Sequence, residues 1–368
     1  MVDGVSTSHF PEAAMFRALV FASFTFATTG FAAAQERSAP IFEMLDRLPM
    51  PAGEDVVEID YGNPGPVRGA ALMAAALGQM EDDPVLAPVL RTVPTFLGQR
   101  AVPLMDSLPE THGIDLLQVA RFAMMTQLPL RAALLELPDG TGDGVVAAVS
   151  GAGMGYEETH FHGQSVLWRG EDFDMDLEQR GEFFGYGLGQ SSRIWIDGDL
   201  LVQTASWPAM AQAMAAPEGA VGGEASVAAL LSSLDGALPA PGQVAALRLY
   251  LNLPETFPGR AILVADMLHG AREGAIFAVA TQTPAEAERL ATAARDNWDS
   301  AASELTRRTM AESFAGDMQA TMLDIDGVPL MAITVYGPRS GESPFWRNDA
   351  YVRFNSRLMA GDWSWLAP

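Results

Sequence analysis

The chain has no cysteine and no lysine: all 22 of its cationic residues are arginine, set against 46 aspartates and glutamates. Without cysteine there is no disulfide, no thiol nucleophile and no thiolate metal ligand. Without lysine there is no Schiff base, no pyridoxal attachment and no P-loop. A formal charge of -24 over 368 residues leaves no basic stripe for nucleic acid and no polybasic face for an anionic membrane. Long apolar runs are scarce too. The longest, Ala18 to Ala33, falls short of the ~20 residues that a membrane-spanning helix needs.

That run follows Met15-Phe16-Arg17 and ends in Ala32-Ala33-Ala34 before Gln35. A short basic start, an apolar stretch and small residues at the end predict a secretory signal peptide over residues 1–34. Asp3 and Glu12 precede the basic position, which places the expected start at Met15. The protein is therefore expected to be periplasmic or secreted, with no integral span after cleavage. No cysteine follows the run, so no lipid anchor is expected.

What remains is rich in material for a core, with 49% hydrophobic residues. Ser191 to Ala215 predicts a hairpin turning at Asp197-Gly198-Asp199, then a helix capped by Ser206 with Pro208 in its first turn. Arg260 to Ala293 repeats that grammar, with Thr283 as cap and Pro284 behind it. Met318 to Tyr336 predicts another hairpin around Asp326-Gly327. Strands are further expected at Asp55–Tyr61, Leu130–Leu137, Gly144–Ser150 and Val244–Leu253, with one long extended stretch over Gly155–Arg169. Helices are expected at Val67–Met80, in two short pieces over Pro84–Gln99, and at Ile114–Gln127. Hairpins mixed with helices, without regular strand–helix alternation, predict an α+β fold. The expected form is antiparallel sheet with helices on one face, in two related halves, 35–216 and 244–368, joined by an Ala/Gly/Pro-rich linker at 217–243 carrying one small helix.

Candidate chemistry is sparse. Glu158, His160 and His162 share one face if Gly155–Arg169 is a strand, because side chains alternate with period 2. Alternate imidazoles can converge on one divalent metal. The His-x-His pair resembles the first metal motif of cupins over about eight residues. Cupins place a glutamate a few residues later, where this chain has Ser165, Val166 and Leu167, so no cupin activity is carried over. Asp172, Asp174 and Asp176 alternate with Phe173, Met175 and Leu177, a spacing open to Ca²⁺ or to a solvated acidic edge. The glycine clusters at 151–155 and 185–189 lack the following helix that a dinucleotide site requires. In the aromatic tail, Trp363 and Trp365 could contact an envelope protein or an apolar ligand, or close the core. No catalytic constellation is complete. The expected function is non-enzymatic binding or association with the envelope, against a metal-dependent hydrolase centred on His160 and His162.

Overall fold

The computed structural model describes residues 37–367, apart from 51–52, 81–82, 216–219, 237, 239–241, 271, 304–305, 315 and 340–345. The expected signal peptide and the start at Met15 lie outside the described residues. Proline and capping side chains set many of the helix boundaries. Ala39–Leu45 (α1) has Pro40 in its first turn. Val57–Gly62 is β1, and Asn63 caps Pro64–Ala76 (α2) by accepting from Gly65 N at 3.0 Å. Ala87–Thr92 (α3) stops before Pro94, which forces Val93 into an extended conformation. Thr95–Leu104 (α4) and Leu108–Thr111 (α5) follow. Arg121–Gln127 (β2) and Leu130–Glu136 (β3) form a hairpin, and Gly142–Gly151 is α6. Glu157–Phe161 (β4) pairs with Gln164–Arg169 (β5), and Ser192–Asp197 (β6) with Leu200–Thr204 (β7). Ser206 Oγ accepts from Ala209 N to cap Trp207–Met214 (α7), and Ala225–Ser232 is α8. Gln243–Leu251 (β8), Ala261–His269 (β9) and Arg272–Ala280 (β10) lead to the Thr283/Glu286 capping box of Pro284–Asn297 (α9). Met310–Ser313 (α10), Asp317–Ile325 (β11), Val328–Pro338 (β12) and Asp349–Met359 (α11) complete the chain.

Three expectations about individual elements are corrected. Residues 121–127 are strand, not the end of a helix. Phe122 and Met124 are buried on one face and Ala123 and Met125 on the other, so the run lacks the polar alternation that marks a one-sided strand. Residues 144–150 are helix, not strand, and bury Val145 and Val149 one turn apart. The Gly155–Arg169 stretch is a hairpin that turns at His162 (φ 49°) and Gly163 (φ 81°). Two positive φ values in a two-residue loop make the turn that follows the natural twist of strands.

The described strands form one twelve-stranded antiparallel sheet, ordered β11-β12-β10-β9-β8-β1-β2-β3-β7-β6-β5-β4. Outward from the central β1–β8 pair, both directions follow one rule. Three consecutive strands are laid side by side, and a later hairpin then enters with its second strand innermost, β7 on one side and β12 on the other. The hairpin–helix echo seen in the sequence therefore aligns different parts of this order, since β6–β7 takes the place held by β11–β12, not by β9–β10.

Helices cover both faces of this sheet, not one. On one face a single apolar cluster extends from Trp195 and Val202 through Ile59 and Leu249 to Leu330 and Ala332. It is covered by α1, α7 and α8. The segment expected as a linker contributes Val221, Val227, Leu230, Leu231, Leu234 and Leu238 to this core. On the opposite face, α3 to α6 cover the first half and α9 to α11 the second, over two large apolar clusters, while α2 seats Val67 and Ala71 in a smaller one with Ala245 and Leu268. The physical reason is strand composition. β9 reads AILVADMLH and is buried along all but its last residue, and a strand of that kind requires cover on both sides. Residues 35–368 make one compact unit.

Candidate functional site

Two buried polar assemblies and one exposed loop stand out from this core. The first assembly fills the gap between the two clusters on the opposite face. Asp60 of β1 and Arg248 of β8 are cross-strand partners, and the pair is joined through Arg248 Nε to Asp60 Oδ1 at 2.6 Å, with Glu58 Oε1 at 3.1 Å. Beside it, Arg91 at the end of α3 donates Nε and NH2 to the two oxygens of Asp266, each at 2.8 Å, and NH1 to Glu273 at 3.2 Å. Asn348 both caps α11 and donates to Asp266 Oδ1 at 2.6 Å. Burial raises the Asp60, Glu58 and Glu273 carboxyls above their ordinary range, only partly offset by the guanidinium groups. The Tyr250 phenol, which donates to Asn355, is pushed up to about 12 by burial. Every charge here faces a protein partner, so the seam joins the two halves of the sheet.

The second assembly is centred on Glu182, which is buried. Its carboxylate accepts from Tyr156 Oη at 3.0 Å, Arg169 at 3.0 Å and Phe184 N at 3.0 Å, and meets His112 Nε2 at 3.2 Å. His112 lies edge-on to Phe183 and Phe184. Burial raises the Tyr156 phenol well above its ordinary value, which keeps it a proton donor to Glu182. This knot pins the inner limb of the β5–β6 connection, residues 170–191, onto the first half of the sheet.

The outer limb of that connection is the exposed loop. Phe173, Met175, Leu177 and Leu188 are 41, 61, 55 and 46% exposed. Glu171, Asp174, Asp176 and Glu178 lie between or beside them, also exposed. The loop is held firmly nonetheless. Asp176 N donates to Gly189 O at 2.9 Å, and Ser191 N to Asp174 O at 2.8 Å. Gly189 (φ 63°) is obligatory, since a Cβ there would lie 1.7 Å from the Asp176 carbonyl oxygen. Asp172 turns inward, meeting Arg193 NH2 at 2.7 Å and accepting from Trp207 N at 2.9 Å. Arg193 also donates to Gly170 O at 2.9 Å and lies over the Trp207 ring. Between these anchors Phe173 adopts φ 65°, a left-handed conformation that is rare and strained for an aromatic residue.

The proposed metal ligands occupy other places. Glu158 and His160 lie on exposed β4, where Glu158 accepts from Ser165 Oγ. His162 is in the turn, out of phase with them and against the Phe161 ring. Asp172 is taken by Arg193, Asp176 accepts from Glu178 N, and Asp174 points to solvent, so the aspartates are divided rather than converged. Among the described residues no three His, Asp or Glu side chains are grouped as a metal site. Trp365 is 1% exposed and packs with Phe277, Trp298 and Phe354. It closes the core and offers no surface to a partner, while Trp363 lies edge-on to Phe257. A cleft of about 670 Å³ opens between the β8–β9 loop and the N-termini of α8 and α9. Its Glu224 already accepts from Val227 N at the start of α8, and its Glu286 from Gln282 N and Thr283 N at the start of α9.

No family model matches the chain, and no curated protein matches it. Among solved structures the chain aligns with crystal form I of TP0453 at a TM-score of 0.34 and 9% identity, over 86% of this chain and 96% of that one. A likeness that loose carries no argument about fold or function. Among the described residues no helix is long and apolar enough to cross a membrane.

Proposed function

We propose that this is a periplasmic or secreted binding protein without catalytic activity, which docks another envelope macromolecule through the β5–β6 loop. One observation carries this reading: four large apolar side chains are held in solvent on a loop anchored by an ion pair to buried Arg193 and by backbone bonds. The connection carries only two short 3-10 turns of its own, Leu177–Gln179 and Phe183–Gly185, and long ordered loops of this kind are usually functional. A loop that had merely failed to pack would not keep a strained Phe173 over an anchor of buried Arg193 and half-buried Asp172. The signal-like N-terminus supports the location. The shared strand order about β1–β8 supports the further proposal that the two halves arose by duplication, with the loop and the β4–β5 hairpin elaborated in one of them.

Photo-crosslinking tests the docking role. A benzoylphenylalanine placed at Met175 is expected to give a discrete adduct in the native envelope, and one at exposed Met359 is expected to give none. Equal yields at both positions, or none at 175, would overturn the reading. Stoichiometric metal in untagged protein, lost in Glu158→Gln/His160→Ala, would replace it with the metal-dependent alternative.

A further inference from the structure

The docking role of the β5–β6 loop also constrains what docks. The outer limb alternates two chemistries within a few residues. Phe173, Met175 and Leu177 are exposed, and Glu171, Asp174 and Glu178 are exposed around them. The one cation in the limb, Arg180, is exposed too, with its Nε donating to Leu177 O at 2.9 Å, and is outnumbered by the carboxylates. The limb therefore presents apolar surface inside a ring with an excess of negative charge. Apolar area favours association but does not select a partner, whereas like charges brought together oppose it by several kcal/mol. An acidic or phosphate-rich surface is excluded on that ground, and an uncharged one would leave the carboxylates desolvated without partners.

We infer that the loop receives a cationic amphipathic segment of a partner protein. The segment's apolar side chains seat on Phe173, Met175, Leu177 and Leu188, and its arginines or lysines pair with the carboxylates between them. The inference rests on the docking role proposed above and adds the chemistry of the partner. The frame suits the task, because a surface already ordered gives up little conformational freedom on binding. The strained Phe173 holds an aromatic ring outward, and aromatic side chains are prominent among the few residues that dominate an interface.

Two model peptides and two sets of variants test this. The probes are a 14-residue amphipathic lysine/leucine peptide and its glutamate/leucine counterpart, titrated calorimetrically at low and high salt. The lysine peptide is expected to bind and the glutamate peptide to fail, with affinity falling at least ~10-fold as salt rises, since exposed charges are then screened. Phe173→Ser/Met175→Ser/Leu177→Ser is expected to lower affinity ~10-fold or more. Glu171→Gln/Asp174→Asn/Glu178→Gln is expected to remove most of the salt dependence, and Glu288→Gln/Asp296→Asn/Asp299→Asn on α9 and beyond to leave it intact. If both neutralised sets weaken binding equally, the overall charge of -24 is responsible and the inference falls. If both peptides bind through the loop, the charge requirement falls and docking stands. If neither peptide binds while crosslinking at 175 still yields its adduct, the partner chemistry is wrong and the docking reading survives. Hydrogen exchange on the unaltered protein supplies a second measurement: peptide-dependent protection within 170–191 is required, and protection elsewhere alone overturns the inference.

Discussion

Asp60 is the residue whose position is most at odds with its chemistry. It sits in β1 between Ile59 and Tyr61, is buried, and shares Arg248 with Glu58 of the same strand. Burial raises the Asp60, Glu58 and Glu273 carboxyls in the folded state. The native protein therefore binds protons on these groups more tightly than the unfolded chain does. Between the ordinary and the raised values, stability falls as pH rises, and it is recovered as pH drops from neutral through the raised folded values towards the ordinary ones of 3.8 and 4.5. A tenfold difference in proton affinity between the two states corresponds to roughly 1.4 kcal/mol. Relief of repulsion within so acidic a chain acts in the same direction, so the comparison must be with a variant. Thermal unfolding followed as pH is lowered towards the ordinary carboxyl values of 3.8 and 4.5 is expected to show rising stability in the parent protein and a flatter profile in Asp60→Asn. A steeper profile in the variant would refute the assignment. Period-2 alternation puts Glu58 and Asp60 on the face opposite Val57, Ile59 and Tyr61, the pattern of a half-buried strand, and nothing local marks Asp60, Arg248 or Asp266 as buried. Only the sheet order, which makes β1 and β8 neighbours, reveals that these charges answer one another.

At the scale of elements, the β5–β6 loop depends on one guanidinium. Arg193 begins a hairpin whose turn and following helix were legible from Asp197-Gly198 and Ser206, yet nothing in its neighbours showed that it would be fully buried. Its partners are Asp172 and the carbonyl of Gly170, more than twenty residues earlier. Arg193→Met is expected to leave Asp172 without its partner and the Gly170 carbonyl without its donor. The expected cost is about 2–3 kcal/mol of global stability, with faster amide exchange concentrated in 170–191. Denaturant titration and hydrogen exchange together check this, and uniform acceleration across the sheet would mean that Arg193 has no special hold on the loop. The same scale explains the His160/His162 expectation. A His-Gly pair between β-prone runs also suits a two-residue turn, and the turn moves His162 out of phase with His160.

For the whole molecule, the decisive feature is a continuous sheet with no seam in its backbone pairing. β8 pairs with β1 along Val57–Gly62, and the apolar cluster beneath runs across both halves without interruption. The segment at 217–243 is therefore expected not to separate independent folding units. A fragment spanning 244–368 would expose the full edge of β8 and lose α8 from its underside. It is expected to be largely unfolded or aggregated when made alone, because an unprotected apolar edge invites pairing with other chains. In the intact protein, β2 and β10 are expected to unfold in one transition, with the same exchange-derived free energy. Circular dichroism on the fragment and residue-level hydrogen exchange on the whole chain decide the matter. A fragment with a cooperative melt of its own would restore the two-domain organisation.

The sequence by itself determined the elements whose signals are local. Asp-Gly turns, Ser206 and Thr283 caps and proline-led helices were legible because each is set by a few adjacent dihedral angles and hydrogen bonds. It also determined the absence of thiol and lysine chemistry. Tertiary structure decided what depends on pairing across distance: that 121–127 lies in the sheet, that α8 belongs to the core, that Trp365 closes it, and that Arg193 is buried under a loop. It also decided that Phe173, Met175 and Leu177 stay in solvent. Alternation with acidic residues is the pattern of a half-buried strand, and whether such a strand finds a surface to cover is settled by the rest of the fold. Here the inner limb at Phe183 and Phe184 occupies that surface, and the outer limb is left facing water.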